Sequence, residues 1–237
     1  PPAQFKALSL QLAPRGKSVG YLPGAGDQVA ESIQRMGYAV TLLGSADIRP
    51  ERLRQFDAVV LGVRAFNTRE DLPGQGPALL AYAENGGTLV IQYNTQNNLV
   101  TDLQAALGLR VSRDRVTDET AQVTFVTPDH PALNAPNKIT AADFDGWVQE
   151  RGLYFPDSWD AKYTPLIASH DPGEPSKSGA LLVARHGKGH IVYAALSFFR
   201  ELPEGVPGAY RLFANLLSLQ AGAQTPQAQS GERNGAP

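Results

Sequence analysis

Three stretches of this sequence gather side chains suited to holding a polar ligand. Arg64-Ala65-Phe66-Asn67-Thr68-Arg69 carries two guanidinium forks and an amide, groups that could grip a carboxylate or adjacent sugar hydroxyls, or belong to a solvated loop in which the arginines pair with Glu70 and Asp71. Gln92-Tyr93-Asn94 sets two amides beside an aromatic ring, a combination that suits a neutral polyol or a loop that satisfies its own backbone through its Asn side chains. Trp147-Val148-Gln149-Glu150-Arg151 alternates in character, so an extended backbone puts Trp147, Gln149 and Arg151 on one face. That face could be a platform for a sugar ring, or Trp147 and Tyr154 could belong to the core. Arg115 with Asp118 and Glu119 offers acid–base groups, and the two carboxylates could take a hard cation. Adjacent residues on a strand point opposite ways, so an internal ion pair from Arg115 is the simpler expectation.

Other chemistry is weakened or excluded by what is missing. The chain has no cysteine, which removes disulfides, thiolate metal sites and a thiol nucleophile. His186 and His190 could approach each other, but two ligands are too few for a zinc site. Ser197 lies in Ala-Leu-Ser-Phe-Phe, without the glycines of a nucleophile elbow. Gly24-x-Gly26 has Val29 where a dinucleotide fingerprint needs its third glycine, and Asp27 would repel a pyrophosphate. No catalytic residue, metal ligand or cofactor is assigned to this chain. The formal charge of the 237 residues is -2, which argues against a nucleic-acid partner. No apolar run approaches the ~18 residues of a membrane span.

The ligand groups need a scaffold, and the apolar runs predict one. Residues 17–22 read as a strand ending at Pro23-Gly24, and a helix capped by Asp27 follows, with Val29, Ala30, Ile33 and Met36 at helical spacing. Strands are predicted over 38–43, 57–63 and 88–93, with helices over 50–56 and 77–84 between them. Such alternation predicts a flavodoxin-like, doubly wound α/β domain with a mostly parallel sheet. Ligands in such sheets sit at the carboxyl ends of the strands, where Arg64 and Asn94 fall. Residues 112–165 lack clean periodicity and read as an irregular insertion over that end. Runs at 179–184 and 191–196 predict a C-terminal β-hairpin, and 210–219 a closing helix. Residues 1–220 form one domain in this reading. Residues 221–237, rich in Gln, Gly, Ala and Pro, read as a disordered tail or linker. The opening Pro1-Pro2-Ala3-Gln4 suggests a processed or excised piece.

Gly86-Gly87-Thr-Leu-Val-Ile-Gln92-Tyr93-Asn94 resembles the strand leading to the nucleophile in class I glutamine amidotransferase-like domains. Gly187-Lys188-Gly189-His190-Ile-Val-Tyr193 with Leu196-Ser197 resembles the later hairpin of ThuA-like proteins. A wider resemblance rests on Gly24-Ala25-Gly26-Asp27, Gly62-Val-Arg64-Ala-Phe66-Asn67, Arg115-Val-Thr117-Asp118-Glu119, Trp147 to Phe155, and Pro207-Gly208-Ala209-Tyr210-Arg211. These blocks resemble the C-terminal amidotransferase-like domain of large PIG-L/LmbE-type deacetylases. The resemblance implies a parent that removes acyl groups from N-acyl amino sugars, usually with zinc held in a separate deacetylase domain. That domain's His-Pro-Asp-Asp motif is absent; only Pro128-Asp129-His130-Pro131 occurs, in reversed order. Gln92 or Tyr93 takes the nucleophile's place, and neither can form a thioester. The expected role is therefore a non-catalytic accessory domain, binding an amino sugar or glycan or docking the deacetylase domain of the same parent chain. The alternatives are a hydrolase using carboxylates and histidines at 115–119 and 186–190, and a purely structural scaffold. Parents of this type are often exported, which implies an extracytoplasmic setting.

Overall fold

The computed structural model describes residues 10–219. The first half runs β1 (Ser18–Leu22), α1 (Val29–Arg35), β2 (Ala39–Leu42), α2 (Pro50–Leu53), β3 (Ala58–Leu61), α3 (Ala65–Thr68), α4 (Leu72–Glu84) and β4 (Thr88–Gln92). The second half adds α5 (Leu103–Leu107), β5 (Leu109–Val116), β6 (Thr124–Phe125), α6 (Pro131–Asn134), β7 (Gly152–Trp159), β8 (Tyr163–Pro165) and β9 (Ile167–Ala168). It closes with β10 (Leu181–His186), β11 (Gly189–Ala194), α7 (Phe198–Glu201) and α8 (Pro207–Leu217).

Seven strands form one sheet in the order β2-β1-β3-β4-β11-β10-β8. The first five are parallel, and β10 and β8 continue the sheet antiparallel. This is the flavodoxin-like order with an antiparallel extension. Every residue of β3 and β4 is buried, as near-continuous apolar strands covered on both faces must be. At the edge, β2 is partly exposed, with Leu42 63% accessible.

Three local expectations change. The run at 191–196 is more than half a hairpin: β11 pairs with β4 and is the fifth parallel strand. Its connection to β10 is only Gly187-Lys188, because His186 pairs with Gly189 and Arg185 with His190. Helix α4 begins at Leu72, with Pro77 inside it. Gly74, Gly76 and two prolines imitate a turn, yet burial of Leu72, Leu79, Tyr82 and Ala83 outweighs their poor propensity. Gln28 rather than Asp27 stands at the cap of α1, although the Asp27 carboxylate still accepts the Val29 amide at 2.9 Å. The predicted tail, 221–237, lies outside the described residues.

The insertion has its own sheet, in which β5 and β7 pair antiparallel with repeated register shifts. Those shifts disrupt the period-two pattern and explain why it is unreadable in the sequence. The insertion docks where β11 ends. Leu153 donates to the Ala195 carbonyl at 3.0 Å, and Ser197 donates to the Arg151 carbonyl at 3.0 Å. Gly152 permits that approach, since a Cβ there would lie 2.4 Å from the Ala195 oxygen.

Candidate functional site

Four chain segments meet at the carboxyl end of the parallel strands. The first is the turn after β1. Gly24 packs so tightly on the turn after β3 that a Cβ would lie 2.2 Å from the Val63 oxygen. This glycine therefore serves backbone packing. Asp27 locks the same junction. Its carboxylate accepts the Tyr21 hydroxyl at 2.5 Å, the Val29 amide at 2.9 Å and the Val63 amide at 3.2 Å. With both oxygens engaged, Asp27 is a strut rather than a base. Burial, and then the Asp27 charge, push the Tyr21 phenol well above its ordinary range.

The second segment follows β3. Arg64 takes a left-handed conformation, φ 57° and ψ 26°, and its amide donates to the Tyr93 carbonyl at 2.8 Å. The sharp strand-to-helix turn of this sheet end is thus at Arg64; the left-handed residues of the described chain do not include Gln92 or Tyr93. Arg69 is engaged by Asp71 and by the Pro23 carbonyl at 3.3 Å. Asn67 donates to the carbonyls of Thr95 and Asn97 at 3.1 and 2.9 Å and accepts the Thr95 amide at 2.9 Å. Both side chains bind neighbouring loops.

The third segment follows β4. Gln92 donates to the Tyr21 hydroxyl at 3.1 Å and is buried. Asn94 is fully buried; its side chain accepts the Phe66 amide at 2.9 Å and donates to the Gln92 carbonyl at 3.0 Å. Its backbone amide donates to the Tyr193 hydroxyl at 3.1 Å. These amides fasten β4 to the turn after β3 and have no surface left for a ligand. Tyr93 is 8% exposed. Its ring stacks on Tyr154 of β7 at 6.1 Å between centroids and meets Phe199 of α7 at 5.1 Å. Burial raises the Tyr93 phenol, while nearby Arg64 and Arg200 pull it down.

The fourth segment joins the insertion to α7. Trp147 is 4% exposed and its indole donates to the Asp143 carbonyl at 3.0 Å. It packs on Phe144 and Phe198, so the platform expected from the sequence has no open face. Arg151 is buried too. It donates to the Ala121 carbonyl at 2.9 and 3.0 Å and to the Phe144 carbonyl, and lies over the Phe144 and Trp147 rings. Trp147 and Arg151 are the insertion's own core, and they do not share a face with Gln149. The backbone turns over between them: Gln149 has φ 68°, and the Glu150 amide donates to the Val148 carbonyl at 3.0 Å. This is a γ-turn of the rare positive-φ kind. It is held from both sides. The Val148 amide donates to the Glu201 carboxylate at 2.8 Å. Glu150 pairs with Arg115 at 3.1 Å and faces Arg200 at 3.6 Å.

Gln149 consequently stands exposed at the edge of a groove of about 330 Å³, with Gly26, Asp27, Gln28, Phe199 and Arg200 among its walls. The groove adjoins the end of β1, where the sheet's winding reverses, the usual ligand position in this topology. A larger hollow of about 630 Å³, lined by residues such as Leu10, Met36 and Tyr210, contains none of the expected ligand residues. Phe199, Arg200 and Glu201 escape a reading of the sequence because 191–196 looks there like nothing more than half a hairpin. Once β11 is the fifth parallel strand, the segment after it is a strand-end loop like the others.

The remaining candidates do not converge. Arg115 pairs with Glu150 rather than with Asp118 or Glu119. Asp118 accepts the Thr120 amide and hydroxyl, and its own amide donates to Asp171. His190 is the second residue of β11 and Ser197 lies beyond the strand's end, separated by roughly 20 Å at about 3.3 Å per residue. The carboxylates at 118–119 and the histidines at 186–190 thus occupy opposite ends of the sheet. Among the described residues, no three His, Asp or Glu side chains are grouped to hold a metal ion, and no helix is long and apolar enough to cross a membrane.

The geometry is shared by solved proteins at low sequence identity. A putative ThuA-like protein from Bacteroides uniformis aligns at 13% identity, covering 94% of this chain and 97% of that one, with a TM-score of 0.58. The fold is ThuA-like. A putative GMP synthase component from Thermoplasma acidophilum gives 0.56 at 11% identity, covering 87% of this chain and 95% of that one, so the fold is also glutamine amidotransferase-like. A β-galactosidase from Bacillus circulans sp. alkalophilus gives 0.52 at 14% identity, covering 89% of this chain but 32% of that one. No family model and no curated protein matches the sequence. At these identities the likeness is one of fold alone.

Proposed function

We propose that this chain is a non-catalytic accessory domain that binds carbohydrate in the groove beside Gln149, within a PIG-L/LmbE-type N-acetyl-sugar deacetylase. The observation that carries this reading is the Val148-Gln149-Glu150 turn. A positive-φ turn at a non-glycine residue costs stability and persists only where its surroundings enforce it. Here Glu201, Arg115 and Arg200 enforce it, and the result is an amide side chain presented to a groove with an aromatic wall. An amide beside Phe199 can exchange hydrogen bonds with ring hydroxyls or with an N-acetyl group while the ring packs its apolar face.

Two further facts support the reading. The positions matching the amidotransferase nucleophile hold Gln92 and Tyr93, whose side chains are consumed by internal contacts. The same fold forms about a third of a β-galactosidase chain, 32% by coverage, so it can ride as one part of a larger carbohydrate-active protein. The deacetylase partner rests on the sequence blocks at 24–27, 62–67, 115–119, 147–155 and 207–211.

The test is a thermal melt of the full chain against glucose, N-acetylglucosamine, glucosamine and glucuronate. A site occupied at a hundredfold excess over Kd adds about 2.7 kcal/mol of stability. At least one sugar should raise Tm, and Gln149→Ala should remove the shift without lowering the unliganded Tm. No shift with any sugar would reject carbohydrate binding and leave docking to the deacetylase domain or a purely structural scaffold as the remaining roles.

A further inference from the structure

The groove beside Gln149 has a neighbour. Pro203 and Glu204, in the loop after α7, wall both that groove and the hollow of about 630 Å³ next to it. Helix α1 runs past both. Gln28 at its start lines the groove, and Arg35 and Met36 at its end line the hollow. Gln28 and Arg35 are seven positions apart, a spacing that puts both on one stripe of a helix. At about 1.5 Å per residue, that stripe is roughly 10 Å long. The groove, about 330 Å³, is at the low end of the ~300–1,000 Å³ of ligand sites, and the hollow extends it well into that range.

The hollow shares what singles out the groove, side chains with hydrogen bonds to spare. Arg35 is exposed and makes no hydrogen bond or ion pair among the described residues. The Tyr210 hydroxyl likewise has no partner among them. Each compartment also has an aromatic wall, Phe199 in the groove and Tyr210 in the hollow, against which the apolar face of a sugar ring can pack. Neither sign of charge dominates the lining, where Asp27 and Glu204 stand against Arg200 and Arg35. Behind it, Arg115 pairs with Glu150, and Arg151 lies near Glu201. Two such stations, set further apart than one sugar ring spans and carrying no excess charge, suit a chain of neutral sugars. We infer, resting on the carbohydrate reading above, that the ligand is a linear neutral oligosaccharide rather than a single sugar. One ring lies beside Gln149 and Phe199, a later ring lies beside Arg35 and Tyr210, and the chain crosses Pro203 between them.

Calorimetric titration of the full chain with N-acetylglucosamine, chitobiose and chitotetraose tests this, with the fully deacetylated tetrasaccharide as a cationic control. Chitotetraose should bind about tenfold more tightly than the monosaccharide, with little dependence on salt. A double variant, Arg35→Ala with Tyr210→Phe, should lose most of that gain and keep its affinity for the monosaccharide, because neither residue lines the Gln149 groove. Gln149→Ala should weaken both ligands. Circular dichroism melts check that each variant folds. Chitotetraose binding no more tightly than the monosaccharide would overturn the extended site and leave the carbohydrate reading intact. No binding of any sugar would overturn both. A chain-length gain that survives the double variant would place the later ring elsewhere and overturn the assignment. Tighter binding of the deacetylated tetrasaccharide than of chitotetraose would overturn the neutral ligand.

Discussion

The strand-end loops and the rim above them carry similar side chains but use them differently. In the loops, Asn67, Arg69, Gln92 and Asn94 bond to neighbouring backbone or side chains, and two of the four are buried. In the rim, Gln149, Phe199 and Arg200 face a groove, and the charged residues behind them are under-satisfied. Polar residues at a sheet's carboxyl end are therefore ambiguous. They mark a ligand site only where the fold leaves their hydrogen-bonding capacity unspent. Here the inner layer has become the foundation for an outer one supplied by the insertion and α7.

The comparison can be broken most forcefully at Arg151, which belongs to the insertion's core despite its charge. Arg151→Ala strands the Ala121 and Phe144 carbonyls and removes two ring contacts. It should cost about 3–5 kcal/mol in chemical denaturation. A loss below ~1 kcal/mol would mean that this guanidinium is not structural.

Glu201 gives the next effect, through pH. Burial lifts its carboxyl from 4.5 to about 7, with the Val148 amide and Arg151 pulling the other way. The folded chain thus holds this proton more tightly than the unfolded chain. Its contribution is full below about 4.5 and is lost as pH rises through about 7. Stability should fall by on the order of 2 kcal/mol between pH 5 and pH 8 from this group, at ~1.4 kcal/mol per unit and allowing for partial screening. Urea titrations of Glu201→Gln should show a flatter profile over that range. An unchanged slope would remove Glu201 as its cause.

Asn94→Ala should cost about 2 kcal/mol by leaving the Phe66 amide buried and unpaired. Gln149→Gly should do the reverse, raising stability by about 1 kcal/mol through relief of the positive φ. A destabilised Gln149→Gly would show that this turn is unstrained.

The sheet is legible in the sequence because burial on both faces writes apolar runs into Val19–Leu22, Ala58–Leu61 and Thr88–Ile91. Topology alone places Arg64, Gln92 and Asn94 at the correct end. Their inward orientation is not legible, since Asn94 meets Phe66 and Tyr193 only after folding brings distant segments together. The alternation through Trp147–Arg151 misleads for a local reason: one positive-φ turn at Gln149 separates residues that an extended strand would align. Pro77 within α4 hides half a helix in the same way, by a local signal that packing overrides.

The most direct test compares Asn94→Ala with Gln149→Ala in melts with and without N-acetylglucosamine and glucuronate. The account predicts that Asn94→Ala lowers Tm and keeps a ligand-induced shift, whereas Gln149→Ala keeps Tm and loses the shift. A Gln149→Ala protein that still responds to sugar, beside an Asn94→Ala protein that folds normally but no longer responds, would contradict it and return the site to the inner layer.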